Sequence, residues 1–433
     1  MAHFGVVAPA FYSHFNALAA LGGELVARGH RVTFVHRPDA REYVRTPGLR
    51  FHAVGASTHP PGSLAESLRR AANPGGPLGL RRVITDMAAA TDMLCRELPH
   101  AVEALGIDAI VADQMEAAGG LVAEALGLPF VSVACALPVN REPGIPLAVM
   151  PFGYEDSERA RQVVEGSTRV YDWMMAPHRR SIEANARRLG IPVRGALHEC
   201  LSPRVQVSQT VAGFDFPRRA LPPHFHHVGP LRAPGADGAT PGQQGLPAIA
   251  AGRPFVFASL GTMQGHRFSL FRRIALACRE LDVQLLVAHC GGLDAGQERA
   301  LERAGATWTC AFAPQQAALA RADAVVSHAG SNTVMDAIAA RTPILALPIA
   351  FDQPGTASRI VHAGIGLKAS PRFASSRQLA TLLRRLLDEP RFGARLDVLS
   401  ADIAASGGAV RAAELVEAAL QLRRTPSEAA SLG

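Results

Sequence analysis

A single lysine, Lys368, stands among the 44 basic side chains of this 433-residue chain. The rest are arginines, paired as in Arg179-Arg180 and Arg384-Arg385 and spaced among apolar residues, so no basic run is present that could track a phosphate backbone. The formal charge of +7 therefore reflects a compositional bias and not a nucleic-acid footprint. Cysteine is also sparse. Cys95, Cys135, Cys200, Cys278, Cys290 and Cys310 lie far apart, without Cys-x-x-Cys or His-Glu-x-x-His, which argues against a disulfide framework and a zinc site and points to a reducing setting. No stretch reaches the roughly 18 apolar residues of a membrane span, and the start lacks the positive and long apolar blocks of a signal peptide. Gly-x-Ser-x-Gly and Gly-x-x-x-x-Gly-Lys are missing, which removes serine hydrolases and P-loop kinases of the usual kind. Asp-x-Asp is missing too, so no candidate stands out for a metal site gripping a diphosphate through paired carboxylates. The expectation is a cytoplasmic protein, soluble or surface-associated, with no metal and no bound cofactor.

What is present is alternation. Strand-length apolar runs at Phe4 to Ala8, Val32 to Val35, Ile107 to Ala112 and Phe130 to Ala134 alternate with helical patterns such as Asn16 to Arg28 and Ala117 to Leu126, each closed by a glycine. The pattern restarts at Phe255 to Ala258, Val283 to Ala288, Trp308 to Phe312, Ala324 to Ser327 and Ile344 to Leu347. Such βαβ repetition predicts parallel sheets. At roughly 100–200 residues per domain, the length suits two domains or three. The reading is an α/β protein with two Rossmann-like domains facing across a cleft: residues 1–228, a Gly/Pro-rich linker 229–252, residues 253–424, and a disordered tail 425–433. Ligands of open α/β sheets bind beyond the carboxyl ends of the strands, so candidate residues are sought just after each strand.

The turn after the Ala324 strand runs His328-Ala329-Gly330-Ser331-Asn332-Thr333 into a helix carrying Asp336. Free N–H groups and the positive end of a helix dipole suit a phosphate or diphosphate there, with Asp336 placed to accept from ribose hydroxyls. Equally, Ser331 or Asn332 could merely cap the helix and His328 be a core histidine. Asp352 and Gln353, behind the Ile344 strand, pair acceptor and donor as vicinal sugar hydroxyls require, although Asp before Pro is also a common cap. Phe312 and Gln315 bring an aromatic and an amide where a base could stack, although an aromatic at a strand end is more often core, and Thr262 sits in a small-residue turn of a kind found in many places. In the first half, His14 and Asp113 follow neighbouring strands, where a carboxylate could orient an imidazole acting as base; equally, His14 could simply stand at a helix start and Asp113 cap the next helix.

The run Phe312-Ala313-Pro314-Gln315 … His328-Ala329-Gly330-Ser331-Asn332-Thr333 … Asp336 … Pro348 … Asp352-Gln353 resembles the nucleotide-sugar signature of the UDP-glycosyltransferases of the two-domain GT-B class. Blocks elsewhere, including His59-Pro60-Pro61-Gly62-Ser63-Leu64, Ser132-Val133-Ala134-Cys135-Ala136-Leu137-Pro138 and Asn140-Arg141-Glu142-Pro143-Gly144, resemble its carotenoid-glucosylating branch. The resemblance implies His14 as the base and Asp113 as its orienting partner. It implies the diphosphate held by His328, Gly330, Ser331, Asn332, Thr333 and Thr262, the nucleoside by Phe312, Gln315 and Asp336, and glucose by Asp352 and Gln353. Phe312 stands where the family often has Trp, and Asp336 where it often has Glu. The implied reaction is inverting transfer from UDP-glucose, a co-substrate, to the hydroxyl ends of a C40 xanthophyll, without metal. Another lipophilic acceptor such as a macrolide, a hydrolase or epimerase reaction, and a non-catalytic nucleotide-sugar or polyisoprenoid binder are the alternatives. An acceptor of this kind implies peripheral contact with the membrane surface, with Pro143 to Phe152 and Tyr171 to Met175 beside Arg179-Arg180 as candidate segments.

Overall fold

A computed structural model of the chain describes residues 1–232 and 245–421. In the first half, β1 (His3–Val7), β2 (Arg31–His36), β3 (Arg50–Ala53), β4 (Ala109–Asp113), β5 (Phe130–Ala134), β6 (Gln206–Ser208) and β7 (Phe225–His227) form one sheet in the order β3-β2-β1-β4-β5-β6-β7. Helices α1 (Tyr12–Ala27), α2 (Ser63–Ala72), α3 (Pro77–Leu105), α4 (Ala117–Ala125), α5 (Glu158–Met174) and α6 (Ala176–Arg188) connect and cover it. In the second half, β8 (Phe255–Ser259), β9 (Gln284–Ala288), β10 (Trp308–Cys310), β11 (Ala324–Ser327), β12 (Ile344–Ala346) and β13 (Gly366–Lys368) follow the order β10-β9-β8-β11-β12-β13. Its helices are α7 (Gly261–Gln264), α8 (Phe268–Glu280), α9 (Ala295–Ala304), α10 (Gln315–Arg321), α11 (Ser331–Ala339), α12 (Gln353–His362), α13 (Ser376–Asp388) and α14 (Arg391–Ser406); α15 (Gly408–Gln421) follows.

Every strand pairing is parallel. Parallel sheets are covered on both faces, and β1, β4, β5, β8 and β9 are buried along their whole length, which is why they read as unbroken apolar runs. The strands without that signature, β3, β6, β7 and β13, are only three or four residues long, and β3 and β7 are only partly covered. Strand order reverses between β1 and β4 in one sheet and between β8 and β11 in the other. A crevice opens at such a switch point, and ligands of this architecture bind there.

The end of the expected second domain needs correction. Helix α15 packs into the first half's core through Ala412, Ala413 and Val416 beside Phe4 and Leu18, and Glu417 pairs with Arg28 (3.0 Å) and His30 (3.0 Å). The chain therefore returns to the domain where it began, and the apolar face of α15 is buried there. Residues 245–252 of the anticipated linker carry no strand or helix, while Leu246 and Ile249 pack on the second half's core. Residues 233–244 of that linker and the anticipated tail 425–433 lie outside the described residues.

The halves share a buried seam. Arg359 of α12 is fully buried and bonds Asp215, whose other oxygen takes Arg218 at 3.0 Å; the Arg359 guanidinium lies 4.2 Å over the Phe216 ring. Burial alone would push the Asp215 carboxyl up, but the two guanidinium groups outweigh it and hold it below the usual carboxylate range. Leaving one partner of such a buried pair alone costs about 3–5 kcal/mol, so this seam fixes how the halves face each other.

Candidate functional site

A cavity of about 1000 Å³ opens between the halves at both switch points. That is the upper end of the usual range for small-molecule sites, roughly 300–1,000 Å³, and suits two substrates better than one. Helix α1 starts at Tyr12, four residues before the expected Asn16, so His14 lies in its first turn beside the end of β4. His14 Nδ1 bonds Asp113 Oδ2 at 2.7 Å, and Asp113 Oδ1 accepts from the Met115 amide at 2.8 Å. Asp113 is 1 % exposed and lies beneath His14, outside the cavity lining, whereas the imidazole faces the cavity. Burial works to lower the pKa of His14, yet the carboxylates of Asp113 and, from the second half, Asp352 outweigh it and raise it above the ordinary histidine value. Cys135 completes a cluster in which imidazole, carboxylate and thiol atoms lie within 4.8 Å of one another. The His14–Asp113 hydrogen bond uses Nδ1 and Oδ2, while the Cys135 thiol lies 3.9 Å from the His14 carbonyl.

Opposite stands the turn between β11 and α11. The His328 ring is wedged between two glycines: a Cβ on Gly261 would lie 2.6 Å from its Cε1, and one on Gly330 would lie 2.5 Å from its Nε2. Gly261 also holds φ +73°, which favours glycine on conformational grounds. Burial pushes the pKa of His328 down to about 4, so the ring is neutral near pH 7. Ala329 (φ 66°) and Phe351 (φ 56°) adopt left-handed backbone, a strain that concentrates where a loop is shaped around a ligand.

In the second half the side-chain capping alternatives are not what the structure contains. Neither α11 nor α12 has a side-chain cap. Ser331 Oγ and Asp352 Oδ2 are buried without a hydrogen-bond partner, and such orphaned groups cost free energy unless a ligand meets them. Burial raises the pKa of Asp352 above the usual carboxylate value, with His14 opposing. Gln353 uses its amide oxygen on the Ile349 and Ala350 amides (2.8 Å each), which leaves its NH₂ to face the cavity. Asn332 spans the cleft: its Oδ1 accepts from Gln209 (2.9 Å) and its Nδ2 donates to the Ser13 carbonyl (3.2 Å), next to His14.

Thr262, His328, Gly330, Ser331, Asn332, Thr333, Gln315, Asp336, Asp352, Gln353 and His14 all line the one cavity. Phe312 does not. Strand β10 stops at Cys310, two residues short of the expected end, and leaves Phe312 half-buried in the connecting turn while Gln315 reaches the cavity. No local sequence signal marks Arg232. It lies within the expected Gly/Pro-rich linker, near its start, yet its Nε bonds Asp336 Oδ1 at 2.9 Å. No spacing rule marks it, because its partner is 104 residues away.

The wall of the first half is mainly apolar, with Leu68, Leu80 and Ile84 from α2 and α3, Met174 from α5, and Ile145 and Leu147 from the loop after β5. That loop crosses to the second half, where the Ala148 carbonyl approaches Gly355 so closely that a Cβ would lie 2.0 Å from it. The expected membrane segment Pro143 to Phe152 is therefore largely cavity wall: Ile145 to Met150 line it. Beside Tyr171 to Met175 the surface differs, since Trp173 is 78 % exposed with Val170, Arg169, Arg179 and Arg180 exposed nearby in sequence. Among the described residues no helix is long and apolar enough to cross a membrane.

Two parallel-sheet Rossmann-like halves facing across such a cavity define the GT-B glycosyltransferase fold. Solved structures share it: the glycosyltransferase of kitacinnamycin (TM-score 0.73, 20% identity, covering 96% of this chain and 98% of that one) and the calicheamicin glycosyltransferase CalG4 (TM-score 0.73, 19% identity, covering 98% and 100%). The family model described as UDP-glucoronosyl and UDP-glucosyl transferase matches residues 6–401, and the chain belongs to that family of enzymes. Among curated relatives, a zeaxanthin glucosyltransferase of Pantoea ananas is 50% identical over 96% of both chains. Another, of Pseudescherichia vulneris, is 44% identical over 97% of this chain and 98% of that one.

Proposed function

We propose that this glycosyltransferase moves glucose from UDP-glucose to the hydroxyl end groups of zeaxanthin, with inversion at the anomeric carbon. The observation that carries the reading is the pairing of His14 and Asp113 opposite the His328–Thr333 turn across one cavity, with apolar walls completing it. The two zeaxanthin glucosyltransferases similar to this chain over nearly its whole length favour a carotenoid over a macrolide acceptor.

In this reading Asp113 accepts from His14 Nδ1, and Nε2 takes the proton of the acceptor hydroxyl. The oxygen attacks the anomeric carbon as the bond to the diphosphate breaks, and UDP leaves with the bonding pair. The N-terminal amides of α11, the neutral ring of His328 and the hydroxyls of Ser331, Thr333 and Thr262 meet the diphosphate. Asp352 and Gln353 hold glucose hydroxyls; Gln315 and Asp336 hold the nucleoside. No step calls on a metal. Closure of the cleft excludes water that would otherwise hydrolyse the donor. The polyene leaves the cavity along its apolar wall, and the face around Trp173 and its neighbouring arginines rests on the membrane surface, where apolar side chains beside cationic ones are stable.

Incubating the protein with UDP-glucose and zeaxanthin in detergent, with mass analysis of the pigment, tests the reading. Mono- and diglucosides of β configuration are expected. Free glucose as the main product, or glucosylation of a macrolide but not of zeaxanthin, would overturn it.

A further inference from the structure

The donor end of the cavity holds a cation that the sequence did not announce. Arg232 closes the segment after β7, the last strand of the first half, and its side chain is 19% exposed. Its Nε bonds Asp336 Oδ1 at 2.9 Å, its Nη2 the Asn332 carbonyl at 3.0 Å, and its Nη1 its neighbour Leu231's carbonyl at 2.9 Å. The other Asp336 oxygen accepts from Gln315 Nε2 at 2.8 Å, and Gln315 Oε1 accepts from Thr333 Oγ1 at 3.2 Å. Arg232, Asp336, Gln315 and Thr333 all line the cavity. The Asp336 side chain is only 7% exposed, so the guanidinium offsets the cost of burying a carboxylate there.

A carboxylate offers about four lone-pair sites, two on each oxygen. Arg232 engages one oxygen and Gln315 the other, which leaves each with acceptor capacity and fixes the plane of the group. Two parallel free acceptors suit two adjacent hydroxyls on one ring. We infer that Arg232 is a positioning residue for nucleotide recognition: it holds the Asp336 carboxylate so that both oxygens accept from the cis-diol of the donor's ribose. The inference rests on the proposed UDP-glucose donor and adds to it a residue from the opposite half. Because its neighbour Leu231 is buried in the first half's core, Arg232 reaches Asp336 from that side, and the ribose site is complete only when the halves face each other as they do here.

Calorimetric titration with UDP and with 2′-deoxy-UDP separates this role from a merely structural one. Wild type binds UDP about tenfold or more tightly than the deoxy compound, the scale of one hydrogen bond to a charged group. In Arg232→Met the affinity for UDP falls about tenfold and that for 2′-deoxy-UDP about twofold or less, so the preference nearly vanishes. Asp336→Asn does the same, and the double variant is no worse than either single one. Arg232→Lys, which keeps the charge but loses the planar fork, falls between. An Arg232→Met protein that keeps the preference, that loses both ligands equally, or whose effect adds fully to that of Asp336→Asn overturns the inference alone. A wild-type protein that does not bind UDP overturns the donor reading, and the inference with it.

Discussion

At the second half's end of the cavity, the lining side chains follow strand termini within a few residues: Thr262 after β8, Gln315 after β10, His328 to Thr333 after β11, Asp352 and Gln353 after β12. At the first half's end strand termini contribute too, with His14 after β1, Arg37 after β2, Met115 and Glu116 after β4 and Cys135 to Leu137 after β5, but a large apolar part of the wall comes from the faces of α2, α3, α5 and α6 and from a loop that crosses the cleft. The difference separates two kinds of binding. Strand-end turns present fixed backbone donors and short polar side chains, and a few adjacent residues specify them. An apolar wall is a sum of non-directional contacts from distant helices, so its shape depends on packing rather than on any motif.

The sharpest way to break this comparison is to remove the one reacting group of the first half. His14→Ala is expected to lower glucosyl transfer by about 10²–10⁴ while UDP affinity, measured by calorimetry, stays within about twofold. A parallel loss of UDP binding would show that the two ends are not separable. Proton uptake requires neutral His14, so activity of the wild type rises with pH through its raised pKa. Asp113→Asn removes the largest raising influence and should move that rise to lower pH while reducing the plateau. Stability runs the other way. A raised folded pKa means that protonated His14 contributes stability in full below the unfolded value, near 6.5, and loses it as pH climbs through the folded one. Urea titrations across that window should show wild type losing stability with rising pH and Asp113→Asn losing less.

Gly330→Ala acts on the other end. Its Cβ would lie 2.5 Å from His328 Nε2, so either the ring or the turn must move. UDP affinity is expected to fall about tenfold, on the scale of an overpacked site, with retention of zeaxanthin by the protein unchanged. Equal loss of both would contradict a donor turn that is local. The smallest effect is expected outside the cavity. Trp173→Ala should weaken sedimentation with anionic vesicles by about two- to fivefold and leave turnover of detergent-dispersed zeaxanthin intact. No change in sedimentation would remove that face from the membrane reading.

The long strands and helices α1, α4 and α11 were legible because each is amphipathic or buried over most of its length; Phe130–Ala134 and Ala324–Ser327 match the expected bounds residue for residue. Strands β6, β7 and β13, with three residues each, leave no periodicity to detect. The expected strand to Phe312 ends at Cys310, so Phe312 lies in the connecting turn and not at a strand end facing the cavity. Helix α15 was assigned by its position in the chain, whereas its partners Phe4 and Leu18 lie at the opposite end of the sequence.

Composition and local order alone determined that this chain forms two parallel-sheet halves and that His14, Asp113 and the His328–Thr333 turn follow strand ends, because these depend on residues adjacent in sequence. Only the tertiary structure decided that they share one cavity, that Asn332 bridges it, that Arg232 holds Asp336, and that Ile145 to Met150 form a wall instead of an exposed surface. Those facts turn on partners tens to hundreds of residues apart, whose meeting is set by how the two sheets and their seam pack.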